Sequence, residues 1–262
     1  MLELAGFDPR TDTDESLFPA DCWLRRVSGE QAVLFGGGRA LLLEVAHPLV
    51  AVGVAEHSNF RTDPFGRLRR TLDAMGAIAF GSRSRALAAA RSVERAHRSV
   101  RGELGERAGL FPAGTLYFGR DPDLMGWVWA TLVDTALVVY ERFVQPVDET
   151  ARDLYFADHS RMARLLGIPL DWLPENYAAF RTYFDAMVEG GTLSVTPTAR
   201  EIAKSVLEPP VRSSATATVR TMTAALLPEN LRSEFGLRLD ARHAEKVEAL
   251  VRSVRELRSG KS

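Results

Sequence analysis

The chain has 262 residues, a size that one hydrophobic core can organise, and 46% of them are hydrophobic against 26% charged. This composition is typical of a globular protein and excludes a disordered one. A formal net charge of −1 gives no electrostatic reason to expect nucleic acid or an anionic membrane as a partner, and the single Cys22 excludes an internal disulfide and a multi-cysteine zinc site.

The N-terminal residues 1–19 are rich in Asp, Pro and Thr, and we expect them to form a flexible leader before one domain over residues 20–262. They lack a basic region followed by an apolar stretch, so no signal peptide is predicted. The longest apolar segment, residues 125–140, is interrupted by two threonines and Asp134. It is too short and too polar to span a bilayer, so we predict a buried core helix, no transmembrane segment and a cytoplasmic location.

Glycine and proline residues mark the ends of the helices that the first half of the chain predicts. Asp63-Pro64 is typical of a helix start, because an aspartate N-cap accepts from free backbone N–H groups and proline suits the first helical position. The clearest amphipathic pattern lies at 82–104, where small and apolar residues recur at steps of three and four. The predicted helices are 39–47, 49–57, one that Asp63-Pro64 opens and that carries residues 67–80, and 82–104.

The second half of the chain follows a Gly- and Pro-rich connection over residues 105–119, and its pattern is again helical. The predicted helices are 123–142, 149–166, 174–188, a segment from Thr196-Pro197 to before Pro209, and 240–257. Strand-like alternation is confined to the very short run 193–195. The sequence therefore predicts an all-α fold, a single globular multi-helix domain.

The histidine at position 97 lies on the inward stripe of the 82–104 helix, together with Ala90, Val93 and Val100. A buried imidazole needs partners, because an unpaired buried polar group costs about 1–3 kcal/mol. Two interpretations stay open: a core histidine bonded to a backbone carbonyl, or a ligand to a metal or haem iron. His159 and His243 are instead expected on surface helices.

Arg67, Arg70 and Thr71 are spaced i, i+3 and i+4, so they share one face of the preceding helix. That face is either a solvated one, with the arginines paired to carboxylates, or a set of hydrogen-bond donors. In the second case the three groups would donate to haem propionates or to bound dioxygen.

A competing metal pattern is Glu-x-x-His, which occurs twice, at Glu44 with His47 and at Glu94 with His97. Di-iron helix bundles use this spacing in two helices and add two inward-facing glutamates from two others. The remaining candidates for those positions lie near helix ends or beside polar residues: Glu56, Glu141 and Glu189. A di-iron centre is therefore the weaker hypothesis.

Several runs together resemble the MpaB/rubber-oxygenase family, which includes bacterial latex-clearing proteins and a fungal oxygenase of mycophenolic acid biosynthesis. The resemblance is to its short bacterial branch and extends from about Trp23 to Leu237. The runs that carry it are LLEVAHP at 42–48, EHS at 56–58, GRLRRT at 66–71, VERAHRSVRG at 93–102, TLVD at 131–134, YERF at 140–143 and SVTP at 194–197.

The resemblance implies an all-α fold that binds haem b and performs dioxygen chemistry at carbon–carbon double bonds. Matched by motif, the proximal iron ligand is His97, and the distal Arg-x-x-Lys-Thr pattern corresponds to Arg67, Arg70 and Thr71. Arg70 stands where the latex-clearing proteins have lysine, and a guanidinium stays protonated and ligates iron poorly. Trp129 stands where the short branch is expected to have histidine.

We therefore expect helices packed around a haem-sized interior pocket, and a haem b-dependent oxygenase. Its reactants would be dioxygen and a small hydrophobic substrate, with isoprenoids as a candidate class, and a homodimer is allowed. The alternative is a non-catalytic protein that binds haem or an apolar ligand, and the third hypothesis is a di-iron helical oxidase.

Overall fold

The fold is almost entirely helical in a computed structural model, which describes residues 15–60, 63–208 and 214–259. About 70% of the chain is helical, and the described part contains twelve α-helices and one two-stranded antiparallel sheet. This confirms the predicted all-α class.

The helices and strands follow one another with short connections. The helices are α1 Trp23–Ser28, α2 Gly37–Ala46, α3 Pro48–His57, α4 Pro64–Phe80, α5 Arg83–Arg98, α6 Pro122–Phe143, α7 Glu149–Leu165, α8 Tyr177–Glu189, α9 Pro197–Leu207, α10 Ser214–Leu226, α11 Glu229–Glu234 and α12 Ala241–Ser259. A 3-10 helix at Gln31–Gly36 precedes α2, and another lies at Leu170–Trp172. The strands are β1 Arg101–Glu103 and β2 Leu116–Phe118.

Three helices begin where the sequence predicted, and the side chain of each predicted N-cap residue accepts a backbone hydrogen bond. The side chain of Asp63 accepts from the backbone N–H of Gly66 at 2.8 Å, and that of Thr196 accepts from the N–H of Ala199 at 3.0 Å. Asp121 caps α6 in the same way, and each of the three helices begins with proline. Capping is local chemistry between near neighbours, so the sequence alone predicts it.

The helix predicted at 82–104 is shorter than expected, because α5 ends at Arg98 and the chain turns into a β-hairpin. Arg101 pairs with Phe118 and Gly102 with Tyr117 across this sheet. A Cβ on Gly102 would lie 2.5 Å from the Tyr117 hydroxyl, so only glycine allows this close approach. The predicted strand-like run 193–195 forms no strand.

The structure describes residues 15–19 of the predicted leader, and two apolar side chains among them pack onto the domain. Leu17 and Phe18 are buried, and they belong to a hydrophobic cluster with residues of α4, α5 and α7. Ser16 forms an isolated bridge with Ser82. Apolar side chains within the acidic leader therefore pack onto the domain, while residues 1–14 lie outside the described residues.

The long apolar helix α6 has 22 residues, so the judgement that it is too short to span a bilayer was wrong on length. Within the described residues it is long and apolar enough to cross a membrane, and the bent pair Gln31–Ala46 and Pro48–His57 would qualify if counted as one span. However, 67% of the apolar window of α6 is buried against other parts of the protein. Such burial is also typical of a core helix.

The carboxylate of Asp134 joins three helices at the centre of the fold. It is 1% exposed and lies on α6, where it accepts from Arg39 of α2 at 2.5 Å and from Arg181 of α8. Arg39 is also buried and donates to Thr135 and to the backbone carbonyl of Leu226. A carboxylate buried this deeply needs counter-charges, and the two arginines supply them.

We expect Asp134→Asn to cost about 3–5 kcal/mol of unfolding free energy, because it leaves the buried Arg39 guanidinium without its counter-charge. The matched control is Asp185→Asn, which removes a carboxylate paired with Arg181 at an exposed position and should cost at most about 1 kcal/mol. Urea melts of the two variants measure both values. Equal losses would contradict the central role of Asp134.

Candidate functional site

The helices α4 and α5 form an antiparallel hairpin around the turn at Gly81 and Ser82, and they pack along their length. Each helix extends about 16 residues from that turn, so the first turns of α4 lie level with the last turns of α5. The predicted site residues Arg67, Arg70 and Thr71 and the predicted ligand His97 consequently lie at the same, open end of the hairpin.

His97 lies on the same face of α5 as Ala86 and Ala90, which are buried against the core. Its ring is half-buried, and its Nδ1 lies 2.8 Å from the backbone carbonyl of Val93. That geometry suits the tautomer with a proton on Nδ1, and no hydrogen bond to Nε2 occurs within the described residues. Nδ1 therefore makes the backbone bond expected of a core histidine, while Nε2 keeps the lone pair that a metal or haem ligand needs.

Of the three donors on α4, Arg70 is exposed and donates to the N-cap carboxylate of Asp63 at 3.3 Å. Such an exposed pair is worth at most about 1 kcal/mol, so a stronger anion could take its place. Thr71 is half-buried. The Arg67 side chain lies outside the described residues, so its role stays a prediction.

The β-hairpin holds the C-terminal end of α5 in place, a feature that the sequence did not reveal. The backbone N–H of Val100 donates to the carbonyl of His97 at 3.2 Å, and the N–H of Gly119 donates to the carbonyl of Val100 at 2.8 Å. On its other side the sheet contacts α3, where the Tyr117 hydroxyl donates to the Glu56 carboxylate. Burial raises the pKa of Tyr117, so it remains a donor at neutral pH.

A small cavity of about 190 Å³ lies elsewhere, between α10 and the chain that leads into α12. Its lining includes Arg220, Leu237 and His243 but no residue of α4 or α5. It is smaller than the 300–1,000 Å³ typical of pockets for organic ligands. The haem-sized interior pocket beside His97 therefore stays a prediction.

The described residues contain no group of three or more His, Cys, Asp or Glu side chains that could hold a metal ion. Glu94 forms an ion pair with Arg98 at 3.2 Å, and Glu141 pairs with Arg152 at 2.6 Å. These carboxylates are occupied by guanidinium groups. The contacts give no support to a di-iron centre, whereas the single imidazole of His97 is what a haem needs from the protein, since porphyrin supplies the other iron ligands.

Two other histidines are buried, and the prediction that His159 is a surface residue was wrong. Its helix α7 packs between α1 and α6, and only 7% of His159 is exposed. Burial lowers the pKa of His159 to about 3 and that of His47 to about 4, so both rings are neutral near pH 7. His243 is half-buried on α12, where its Nδ1 lies 2.7 Å from Asp240.

The tryptophan at position 129 is part of an aromatic cluster between α6, α7 and α8. Its ring lies 5.9 Å from the rings of Phe156 and Phe180 and 6.4 Å from that of Trp172. Only 4% of it is exposed, and its indole N–H has no hydrogen-bond partner among the described residues. An apolar contact therefore occupies the position where the resemblance leads us to expect histidine.

Comparison with known proteins gives a family match over most of the chain. The model of the family described as "ER-bound oxygenase mpaB/B'/Rubber oxygenase, catalytic domain" matches residues 25–256. Two curated relatives are the uncharacterised proteins Mb2261 of Mycobacterium bovis and Rv2237 of Mycobacterium tuberculosis, each 26% identical over 154 residues. That segment covers 57% of this chain and 58% of each relative. No solved structure matches significantly.

The buried His159 should make stability depend on pH. Its ordinary pKa is 6.5, so between pH 6.5 and about 3 the unfolded chain binds a proton that the folded chain refuses. Stability must therefore fall as the pH is lowered through this range. We expect His159→Gln to reduce that slope by about 1.4 kcal/mol per pH unit.

Urea melts at a series of pH values from neutral to 5 measure this slope. The difference between variant and wild type at neutral pH serves as the control, because it reports the packing change alone. A slope unchanged by His159→Gln would contradict the neutral, buried state.

Proposed function

This chain belongs to the mpaB/rubber-oxygenase catalytic-domain family, and we propose that it is a haem b-dependent oxygenase that acts on a hydrophobic substrate. The family is an oxygenase family, and rubber in its description is an isoprenoid hydrocarbon. An isoprenoid substrate is therefore the class we favour, with dioxygen as the second reactant. The cytoplasmic location and the homodimer belong to this proposal as well.

The observation that carries the proposal is the geometry of His97. Its Nδ1 is bonded to the Val93 carbonyl, so the ring is held in one tautomer and one orientation while Nε2 keeps its lone pair. A ligating histidine in metalloproteins almost always has its second nitrogen bonded in this way, which raises its basicity. His97 would be the proximal ligand, and the haem would supply the iron at which dioxygen is bound and activated.

The residues on α4 would act on bound dioxygen or on the haem propionates. Arg70 stays protonated at any working pH, so it would donate hydrogen bonds to an anionic or polarised oxygen and would not itself ligate iron. Arg67 is assigned the same kind of role, and the hydroxyl of Thr71 would donate or accept a single hydrogen bond. The weak pairing of Arg70 with Asp63 leaves its guanidinium able to turn toward such a group.

The second candidate is a protein that binds haem or an apolar ligand without turnover. It is favoured by the replacement of an expected histidine by Trp129, whose surroundings are aromatic, and by the exposure of Arg70. The oxygenase, and the second candidate in its haem-binding form, need haem retention by His97. They differ in whether dioxygen consumption depends on an added isoprenoid.

We expect His97→Ala to lose most of its haem, because porphyrin then has no axial ligand from the protein. The matched control is His243→Ala, which removes a histidine of similar exposure from the distant helix α12 and should retain haem fully. Absorption spectra and iron analysis of the two purified variants measure retention. Full stoichiometry and an unchanged spectrum in His97→Ala would overturn the assignment.

Arg70→Ala should keep its haem and change the visible spectrum of the carbon monoxide complex of the reduced protein, because a charged donor near the bound gas is removed. The control is Arg69→Ala, the exposed neighbour on α4. Identical carbon monoxide spectra in wild type and both variants would remove Arg70 from the site.

Metal analysis separates haem from the di-iron hypothesis. We expect about one iron per chain with porphyrin absorbance, and Glu94→Gln should leave the iron content unchanged because porphyrin supplies four iron ligands. Two irons per chain without porphyrin absorbance, lost in Glu94→Gln, would establish the di-iron alternative.

A further inference from the structure

The outer side of α5 carries a dense group of arginines. Arg91, Arg95 and Arg98 are spaced i, i+4 and i+7, so they share one helix face, and all three are exposed. The β-hairpin continues the group with Arg101, and Arg120 follows it just before α6. We call these five arginines, together with Glu94 among them, the cationic face.

The charge of the cationic face is not neutralised locally. Glu94 pairs with Arg98 at 3.2 Å and lies 3.9 Å from Arg120. Arg91, Arg95 and Arg101 form no ion pair with any described residue. The face thus has a formal charge of +4 in a chain whose total is −1, so the net value conceals a local excess of positive charge.

An exposed aromatic side chain borders this face. Phe118 is 49% exposed and lies directly opposite Arg101 in the antiparallel sheet, so both side chains point to the same side. Leu116 is likewise exposed beside Glu103, which marks the end of the face. Exposed arginines together with an aromatic residue are the types that are enriched in protein–protein interfaces.

The arginines of α5 lie roughly 100–160° around the helix axis from His97, so they point away from it on the same helix. An α-helix with its side chains is about 10–12 Å across. A protein docked on the outer face would therefore come within roughly one helix diameter of a group held at His97. This distance is short enough for an electron to pass between two redox centres, provided that the partner's own centre is near its surface.

We propose that the cationic face is the docking site of an acidic electron-transfer protein of the iron–sulfur or flavin class. This inference rests on the proposed function, because a haem oxygenase must be reduced to the ferrous state before it binds dioxygen. The step transfers one electron from the reduced carrier to the oxidised cofactor, and no bond forms or breaks. Complementary charge would speed the encounter and select the carrier.

A membrane surface is the competing occupant, since arginines also bind lipid phosphates. An interfacial membrane helix carries large apolar residues on the face opposite its charges. In α5 that opposite face holds Ala86 and Ala90, which are buried in the core and unavailable to lipid. The arrangement therefore favours an acidic protein.

The test uses a plant-type [2Fe–2S] ferredoxin, an acidic carrier, with the protein purified together with its cofactor. The variant Arg91→Gln/Arg95→Gln/Arg101→Gln removes three charges that make no ion pair in the described structure. The matched control, Arg238→Gln/Arg242→Gln/Arg252→Gln, makes the same charge change at exposed positions near and on α12. Affinity is measured by calorimetry, and the rate of cofactor reduction by stopped-flow absorbance under carbon monoxide.

We expect the α5 variant to bind ferredoxin more weakly by about tenfold or more and to be reduced correspondingly more slowly, while the control keeps wild-type values. Dithionite, a small reductant, should reduce all three proteins equally. Equal ferredoxin affinity of the two variants would overturn the inference, as would binding of anionic phospholipid vesicles in place of ferredoxin. Haem loss in His97→Ala is measured separately, so a failure of docking leaves the proposed function standing.

Discussion

The buried carboxylate of Asp134 is the constraint on which the rest of the structure depends. A charge at 1% exposure is tolerated only with counter-charges, and Arg39 and Arg181 supply them from two different helices. Because Arg39 also bonds to Thr135 and to the carbonyl of Leu226, these contacts together favour one register of α2 on α6. The neighbouring bond from the Trp127 indole N–H to the Leu43 carbonyl agrees with that register.

The candidate site lies away from this centre, where packing is looser. The C-terminal half of α4 is buried through Ile78 and Ala79, whereas Arg70 and Leu72 nearer its start are exposed. Because α4 and α5 pack along their length, a ligand at His97 would lie at the open end of the hairpin, beside these exposed side chains. The C-terminal end of α5 is held more firmly, because Val100 donates to the His97 carbonyl and Gly119, just after β2, donates to the Val100 carbonyl. The proposed ligand His97 is therefore on the firmly held end of α5, and the proposed donors are on α4.

Most charged side chains of this protein are paired locally, but one surface region carries arginines that are not. Inside, Arg39 and Asp134 neutralise each other, and on the surface many arginines have a carboxylate nearby, as in Arg142 with Glu248. The outer side of α5 departs from that pattern, since Arg91 and Arg95 have no such partner among the described residues. A near-zero net charge had argued against large anionic partners, but net charge says nothing about where charges lie.

The sequence by itself determined the all-α class, the helix starts at Asp63, Asp121 and Thr196, and the inward placement of Ala86 and Ala90, because capping and helical periodicity involve only near neighbours. The sequence motifs also identified the family, because a motif is recognised without coordinates. Tertiary structure alone decided where α5 stops, because the strand that replaces its last turn depends on Tyr117, fifteen residues after Gly102 along the chain. It decided equally that Phe18 and His159 are buried and which arginines meet Asp134. Those contacts join residues far apart along the chain, and a local pattern contains no information about them.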